Sequence, residues 1–471
     1  MTLAWLIVYA SLFVQQGAAS GDQAIELVRR LGSDRYAERQ AAAKALEAMG
    51  QPALPALRAA AASKDAELRD RAAAIVDRIE SHDLNTASSI TLDFTDLALD
   101  EIVDRIGGRA PGRLAWAPAT PASARQRRVT IREQQPLPFW AAIDRLCQSG
   151  GFHYIPGSPR GGGPAQFRLF LAPGSMLCPH AEHGPLRLEI VALAHSRQVN
   201  LIPGNREEFP RSRSMLSEFG LREEEFMATM RILAEPRMLI GQVGNALITL
   251  AVDDRGQSIL PGPAPFLYHY GYGHGDLQAC AAYILKLKRP ERAGTVIKHF
   301  KLTIPVEVVA LMPDGLEIPL EGSSGKTFRH GKESIEILAV ERISQDARLV
   351  RFKVTSDETV PVSLDLDPSG KLAPVARQPA QPAVTHDAFQ VLDRERRPFP
   401  FYIGNLRPDG PSVTAELMIH PDRDVPIPVP ARNGVVPRPA REPAVPAVLL
   451  HTQLRRSIIL ATFEFTDIPL P

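Results

Sequence analysis

At 471 residues the chain is long for a single domain and suggests three or four. A hydrophobic fraction of 44% is enough for several cores and excludes global disorder. With 54 basic residues against 53 acidic ones, the net charge of +1 gives no basic stripe to displace counterions from phosphate, so nucleic acid is excluded as a partner.

Leu3 to Val14 is an uncharged apolar run, followed by the small residues Gly17 to Ser20 that a signal peptidase accepts. The run falls short of the roughly 20 apolar residues that span a bilayer. Residues 1–20 therefore read as a secretory signal cut after Ala19 or Ser20, although no Lys or Arg precedes the run; the alternative is a buried amphipathic lead-in. No later stretch is long and apolar enough for a membrane helix, so no integral membrane segment is expected after signal removal. Three cysteines, Cys147, Cys178 and Cys280, form no disulfide framework, and Cys147 and Cys280 read as small buried hydrophobes.

Residues 21–84 read as helical. Ser33 or Asp34 is placed to cap one helix and Ser63 or Asp65 another, and Gly50 breaks the chain between them. Ser33, Arg39, Ala42 and Ala43 recur as Ser63, Arg69, Ala72 and Ala73. With the Gly50 to Leu57 run between the two arms, the pattern resembles degenerate HEAT-type hairpins. Such repeats stack because one hairpin cannot cover its own apolar face. About two units are present where about three are usual, so the region reads either as a protein-binding surface or as a docked helical cap.

Residues 86–174 run strand, helix, strand, strand, helix, strand, strand. Ile90, Leu92 and Phe94 alternate with polar neighbours, and Asp96 is placed to cap a helix carrying Leu99, Ile102, Val103 and Ile106 on one face. Leu114 with Trp116, and Val129 with Ile131, give two strands. Pro138 opens a second helix with Trp140, Ile143, Leu146 and Cys147, closed by Gly150 and Gly151; Phe152 to Tyr154 and Phe167 to Leu171 complete the unit. Both helices are expected on one face of a single sheet, with Trp140 and Ile143 packed against Ile90, Phe94 and Val129. On these elements the βαββαβ unit resembles the short N-terminal module of secretins and TonB-dependent receptors. That resemblance implies a periplasmic unit making protein–protein contacts. An edge strand entered through Arg125, Arg127 and Arg128 and containing Thr130 is the expected partner-binding element, by strand addition to an acidic segment; the alternative is edge protection by the same arginines.

Beyond a linker at 172–184 the chain turns β-rich. Leu186 to Leu193, Met227 to Leu233, Ala246 to Val252, Ala281 to Leu287, Val296 to Val309, Ser334 to Val340 and Arg348 to Val354 read as strands, with turns at Asp254–Gly256 and Asp314–Gly315. Strands without intervening helices point to antiparallel, immunoglobulin-like sandwiches, one over 184–303 and a second over 304–471. Arg206 to Glu225 and Pro261 to Asp276 read as insertions. Fifteen of the 42 prolines lie between Pro374 and Pro446, which restricts paired strands there to Phe389–Leu392, Ser412–Ile419 and Ser457–Phe465. Val391 to Arg394 echoes Ala251 to Asp254, suggesting a second copy of one sandwich.

The chemical motifs are weak. Gly322 to Thr327 imitates the end of a phosphate loop but lacks its first glycine and reads as a hairpin turn. Asp365 and Asp367 begin a calcium-like loop whose twelfth position is Ala376. Cys178, His180 and His183 are a cluster of soft ligands on a linker, where a solvated loop is the default and a metal the alternative. Tyr268, His269, Tyr270, Tyr272 and His274 crowd the second insertion as a recognition surface or a loop folded on its own sandwich. No catalytic, cofactor or metal residue is assigned. The fold expected is multidomain α+β. The function expected is that of a non-catalytic exported envelope protein, periplasmic or envelope-bound, that scaffolds or binds other envelope proteins. The alternatives are a docking component or regulator of an outer-membrane assembly and a metal-dependent hydrolase with its site at a domain junction.

Overall fold

The computed structural model describes residues 21–107, 114–117, 119–157, 166–171, 178–199, 222–260, 267–268, 277–290, 292–343, 347–379, 382, 384, 388–419 and 445–471. The expected signal at 1–20 lies outside these residues, as do 206–221 of the first insertion and His269, Tyr270, Tyr272 and His274 of the second. The chain divides after Ala87 into two compact units, helical before that point and mostly antiparallel β-sheet after the module. Among the described residues no helix is long and apolar enough to cross a membrane.

The first unit holds helix α1 over 21–31, α2 (Tyr36–Met49), α3 (Leu54–Ala61) and α4 (Ala66–Asn85). The recurrence seen in the sequence has a structural counterpart. Ser33 Oγ accepts from the backbone N–H of Arg35 at 3.2 Å, and Ser63 Oγ accepts from that of Asp65 at the same distance. Asp65 then caps α4 through the N–H groups of Glu67 (2.9 Å) and Leu68 (3.3 Å). Arg35 heads α2 without a side-chain cap, so Ser33 shapes the turn before the helix instead of capping it. Ala42 and Ala72 are both buried, with Leu31, Leu46, Leu57 and Ile75 around them.

The second unit opens with the module: β1 (Ser89–Ile90), β2 (Asp93–Ala98), α5 (Leu99–Gly107), β3 (Leu114–Trp116), α6 (Ala122–Arg125), β4 (Arg128–Arg132), β5 (Leu137–Pro138), α7 (Phe139–Gly150), β6 (Phe152–Gly157) and β7 (Gln166–Leu171). The order of strands and long helices is as expected, but the single sheet is not. Among the described residues β2 pairs only with β4, while β3, β7 and β6 form a separate three-stranded sheet in which β3 and β7 are parallel. Asp96 does not cap α5. It sits in a bulge of β2 at φ +50, where its N–H donates to Thr130 Oγ1, and the N–H of Leu99 is taken by the carbonyl of Arg127. Trp140 shares one core with Ile90, Phe94 and Val129 and also packs on the other sheet, with Tyr154 and Phe167 ring centroids each 5.7 Å away.

The remaining strands are β8 (His180–His183), β9 (Leu186–Val199), β10 (Arg222–Ala234), β11 (Met238–Val243), β12 (Leu247–Asp253), β13 (Leu267–Tyr268), β14 (Cys280–Leu287), β15 (Val296–Pro319), β16 (Lys326–His330), β17 (Glu333–Arg342), β18 (Arg348–Ser356), β19 (Thr359–Pro361), β20 (Arg377–Pro379), β21 (Phe389–Asp393), β22 (Pro398–Phe399), β23 (Phe401–Asp409), β24 (Ser412–Ile419) and β25 (Pro446–Pro469). β15 and β25, 24 residues each, pair antiparallel over nearly their whole length. At ~3.3 Å per residue they form a spine of about 80 Å. The expected sandwich boundary at 303/304 falls inside β15, and the expected turn at Asp314–Gly315 is a bulge that β15 passes through. Pro305 lies within this central strand because its outer neighbour changes there: β12 pairs up to Thr303, β11 from Val306, and the N–H of Gly244 between them donates to the Pro305 carbonyl at 2.8 Å. A Cβ on Gly244 would stand 1.9 Å from the carbonyl oxygen of Leu364, so only glycine fits.

One five-stranded sheet has the order β8-β9-β10-β14-β13 and another β16-β17-β18-β24-β23. The order is the same in both. The first hairpin of each turns at a positive-φ glycine, Gly184 and Gly331, after His183 and His330. The second strand of each carries one bulged residue at the same place, Val191 between Ile190 and Ala192 and Leu338 between Ile337 and Ala339. Their inner faces meet the spine sheet: Tyr283 accepts from the N–H of Ala246 at 2.7 Å, and Phe352 lies 5.0 Å from Phe389. The proline-rich region holds more pairing than expected, since β23 and the first half of β25 are also in register with neighbours.

Trp140 is 1% exposed. Trp140→Ala should cost about 3–5 kcal/mol, as for other buried large aromatics; a denaturant midpoint that does not move would contradict this packing.

Candidate functional site

A dense polar cluster lies where the module meets the first five-stranded sheet. Residues alternate along β9, so Leu186, Leu188 and Ile190 face the spine while Arg187 and Glu189 face the module. Arg187 is 0% exposed. Its Nη1 and Nη2 donate to Asp144 Oδ1 (2.7 Å) and Oδ2 (2.6 Å), Nη1 also to the Tyr154 hydroxyl (2.7 Å), and Nη2 to Glu182. The guanidinium carbon stands 5.1 Å from the Trp140 ring centre. The Tyr154 hydroxyl donates to Glu189 Oε1 (2.7 Å), whose other oxygen accepts from Arg231 Nε at 2.5 Å. Trp140 Nε1 donates to the Pro185 carbonyl at 3.0 Å. Burial pushes the Arg187 pKa down, but Asp144, Tyr154 and Glu182 outweigh it and raise the pKa, so the residue stays charged.

Asp144, His180 and Glu182 bring ligand atoms within 4.8 Å of one another. The Arg187 guanidinium already donates to both carboxylates, so it occupies the cation's place, and the cluster works as an ionic clasp. His180 and His183 are in strand β8, not in a linker, and odd spacing sends them to opposite faces. His180 lies 3.5 Å from Asp144, and the ring of His183 is 6.5 Å from that of Phe463. Burial raises the pKa of Cys147, and that of Cys280 to about 12, which makes both thiols poor nucleophiles.

A second cluster sits where the β16–β17 hairpin meets the spine. Glu333 Oε2 is 3.4 Å from His451 Nε2, with His330 stacked edge-on at 6.5 Å and Phe389 at 4.9 Å from the His451 ring. Burial raises Glu333 to about 7, against the pull of Arg456 and with a smaller push from Glu358. Burial and the neighbouring His330 lower His451 to about 4. The two therefore face each other as a neutral pair between about pH 4 and 7, able to share one proton. Sequence reading missed this pair because its members lie on strands far apart in the chain.

Two of the arginines expected to steer a partner are engaged within the module. Arg127 Nη1 donates to the Gly150 carbonyl at 3.2 Å, Arg128 pairs with Asp96 at 3.0 Å, and Thr130 is bonded to the Asp96 N–H. Arg125 is half-buried on α6. Among the described residues β4 pairs with a strand, β2, along one edge only. Gly322 to Thr327 is a turn joining two sheets and not a hairpin.

The calcium-like Asp367 takes part in a turn that occurs three times. Asp253 Oδ1 accepts from the N–H groups two and four residues on (3.0 and 2.7 Å), as do Asp367 (2.8 and 3.1 Å) and Asp393 (2.9 and 2.8 Å). The fourth residue of each turn has positive φ: Gly256, Gly370 and Arg396. Asp365 is bonded to Asn245 and Ser363. The echo between Ala251–Asp254 and Val391–Arg394 is thus one turn used twice, each time after a bulge at the start of a spine strand.

Asp144→Ala should destabilise the protein by about 3–5 kcal/mol by stranding Arg187, and by less in an Arg187→Met background; equal losses in denaturant melts would contradict the clasp. A buried carboxyl whose folded pKa is raised loses stability as pH rises from its unfolded value, 4.5, through about 7. Glu333→Gln should therefore leave stability nearly unchanged at pH 4 and increase it by up to about 3 kcal/mol at pH 8. A pH-independent difference between the two proteins would refute the burial of this carboxyl.

No family model, no curated protein and no solved structure matches the chain.

Proposed function

We propose that the chain is a non-catalytic exported scaffold of the bacterial envelope that binds another protein through its helical unit. The observation that carries this reading is an apolar groove of about 350 Å³ between α1 and the α3–α4 hairpin, lined by Ile25, Val28, Ala56, Ala59, Ala60 and Leu68. Ile25 is 62% exposed, a large apolar residue left at the lip of the groove. The alanines on its floor leave room for a bulky side chain, the geometry by which a groove receives an amphipathic helix. In a HEAT-like array the next repeat would cover this face; with about two units present, a partner does so. The apolar Leu3 to Val14 run supports export, and the strand–helix order of the module supports a periplasmic setting.

A photoreactive residue at position 59, introduced in intact cells, should give one discrete adduct in the envelope fraction. Adding Ala56→Glu should remove it without changing the circular dichroism spectrum. No adduct, or one indifferent to Ala56→Glu, would rule out the groove; Met1 retained on soluble cytoplasmic protein would rule out export.

A further inference from the structure

The first hairpins of the two five-stranded sheets can be laid on each other residue by residue. In the first, His183 stands opposite Leu186 across the turn at Gly184, and its ring lies 6.5 Å from that of Phe463 on β25. In the second, His330 stands opposite Glu333 across the turn at Gly331, and its ring lies 6.5 Å from that of His451, again on β25. The hairpin, its histidine and the distance to the spine are kept. Leu186 and Phe463, both wholly buried, have Glu333 and His451 in their places.

His451 is 2% exposed and the Glu333 side chain 11%. A carboxyl and an imidazole at sites that suit leucine and phenylalanine cost stability unless their polar atoms are satisfied. Among the described residues Glu333 Oε2 and His451 Nδ1 are buried without a hydrogen-bond partner. Glu333 Oε2 and His451 Nε2 face each other at 3.4 Å, and the oxygen accepts no hydrogen bond there. Arg456, whose charge reaches Glu333, donates to Glu307 at 3.2 Å. This is the reverse of the ionic clasp, where Arg187 donates to both carboxylates.

We infer that His330, Glu333 and His451 form a zinc site that ties the β16–β17 hairpin to β25. Two imidazoles and one carboxylate are a donor set for this ion, with water in the fourth position. Donor atoms around a tetrahedral zinc stand about 3.3 Å apart, close to the separation of Glu333 Oε2 and His451 Nε2. Two imidazoles on one ion hold their ring centres about 5 Å apart, so His330 would close on His451 by roughly 1 Å. Burial keeps His451 neutral above about pH 4, which leaves its ring able to ligate at neutral pH. Gly331 and Lys332 at the turn are exposed, so an ion can enter from the hairpin end. The site does not involve the groove of the helical unit, so either can fail alone.

The probe is Zn²⁺ alone, titrated calorimetrically into the untagged, chelator-stripped full-length chain, with Co²⁺ absorption as a check on geometry. One saturable site per chain is expected, with a tetrahedral cobalt spectrum. Glu333→Leu and His451→Phe put the residues of the first hairpin into the second, so both proteins should fold, and each should weaken binding at least tenfold. His330→Ala should do the same, whereas His180→Ala should leave binding unchanged. Absence of saturable uptake below millimolar zinc overturns the inference. So does uptake that survives any of the first three substitutions, or that His180→Ala removes, because the ion would then sit elsewhere.

Discussion

The pairing of β15 with β25 is the constraint on which the rest of the second unit depends. A strand of this length is buried against different layers at its two ends, and each end must present apolar residues to its own sheet. Near the start of β15, Phe300, Leu302 and Ile304 are buried on the side of the first five-stranded sheet, with Phe463 and Phe465 beside them on β25. Toward the other end Ile318 and Leu449 join the core of the second. The bulge between Leu311 and Gly315 separates the two stretches and absorbs the change of register. Two sheets packed on one continuous pair of strands cannot move as independent domains, which is why a boundary at 303/304 has no place in this structure.

A different principle joins the module to this frame. Its own core is apolar, yet where it meets the first sheet charged side chains, Arg187 and Glu189, are buried beside apolar ones such as Leu233. Isolated, Arg187 would be expensive to bury; paired with Asp144 through two hydrogen bonds and stacked on Trp140, it is satisfied. Such a contact contributes little net stability compared with an apolar one, but it tolerates one orientation only. The clasp therefore sets how α7 lies on β9 more than how firmly it is held.

The equivalence of the two sheets gives meaning to their differences. On the first sheet the second strand carries Arg187, which α7 of the module covers; on the second sheet the equivalent position is Ser334. The neutral Glu333–His451 pair occupies the inner side of the second sheet, where burial outweighs the attraction between opposite charges.

What the sequence determined by itself was local. Period-2 alternation placed most strands, the 3.6-residue period placed α5 and α7, and Asp65 read as a cap and is one; the echo of Ala251–Asp254 in Val391–Arg394, read as a second copy of one sandwich, is a shared turn. These depend on neighbours within a few residues, so composition and spacing carry them. What only the tertiary structure decided was which strands pair and which faces are covered. Asp96 has a capping residue's chemistry but sits in a bulge because β4 supplies Thr130 to its N–H. His180 and His183 read as a loop cluster, yet β9 draws them into a strand that separates them. Pro305 stands in a central strand although it has no N–H to give the ladder, and the handover from β12 to β11 makes room for it. Arg187 had no distinguishing local signal, since its partners Asp144 and Tyr154 lie well upstream and its burial exists only once the module has docked. Hydrogen bonds and ion pairs between distant segments leave no period in the chain, and they are what fixed the sites of this protein.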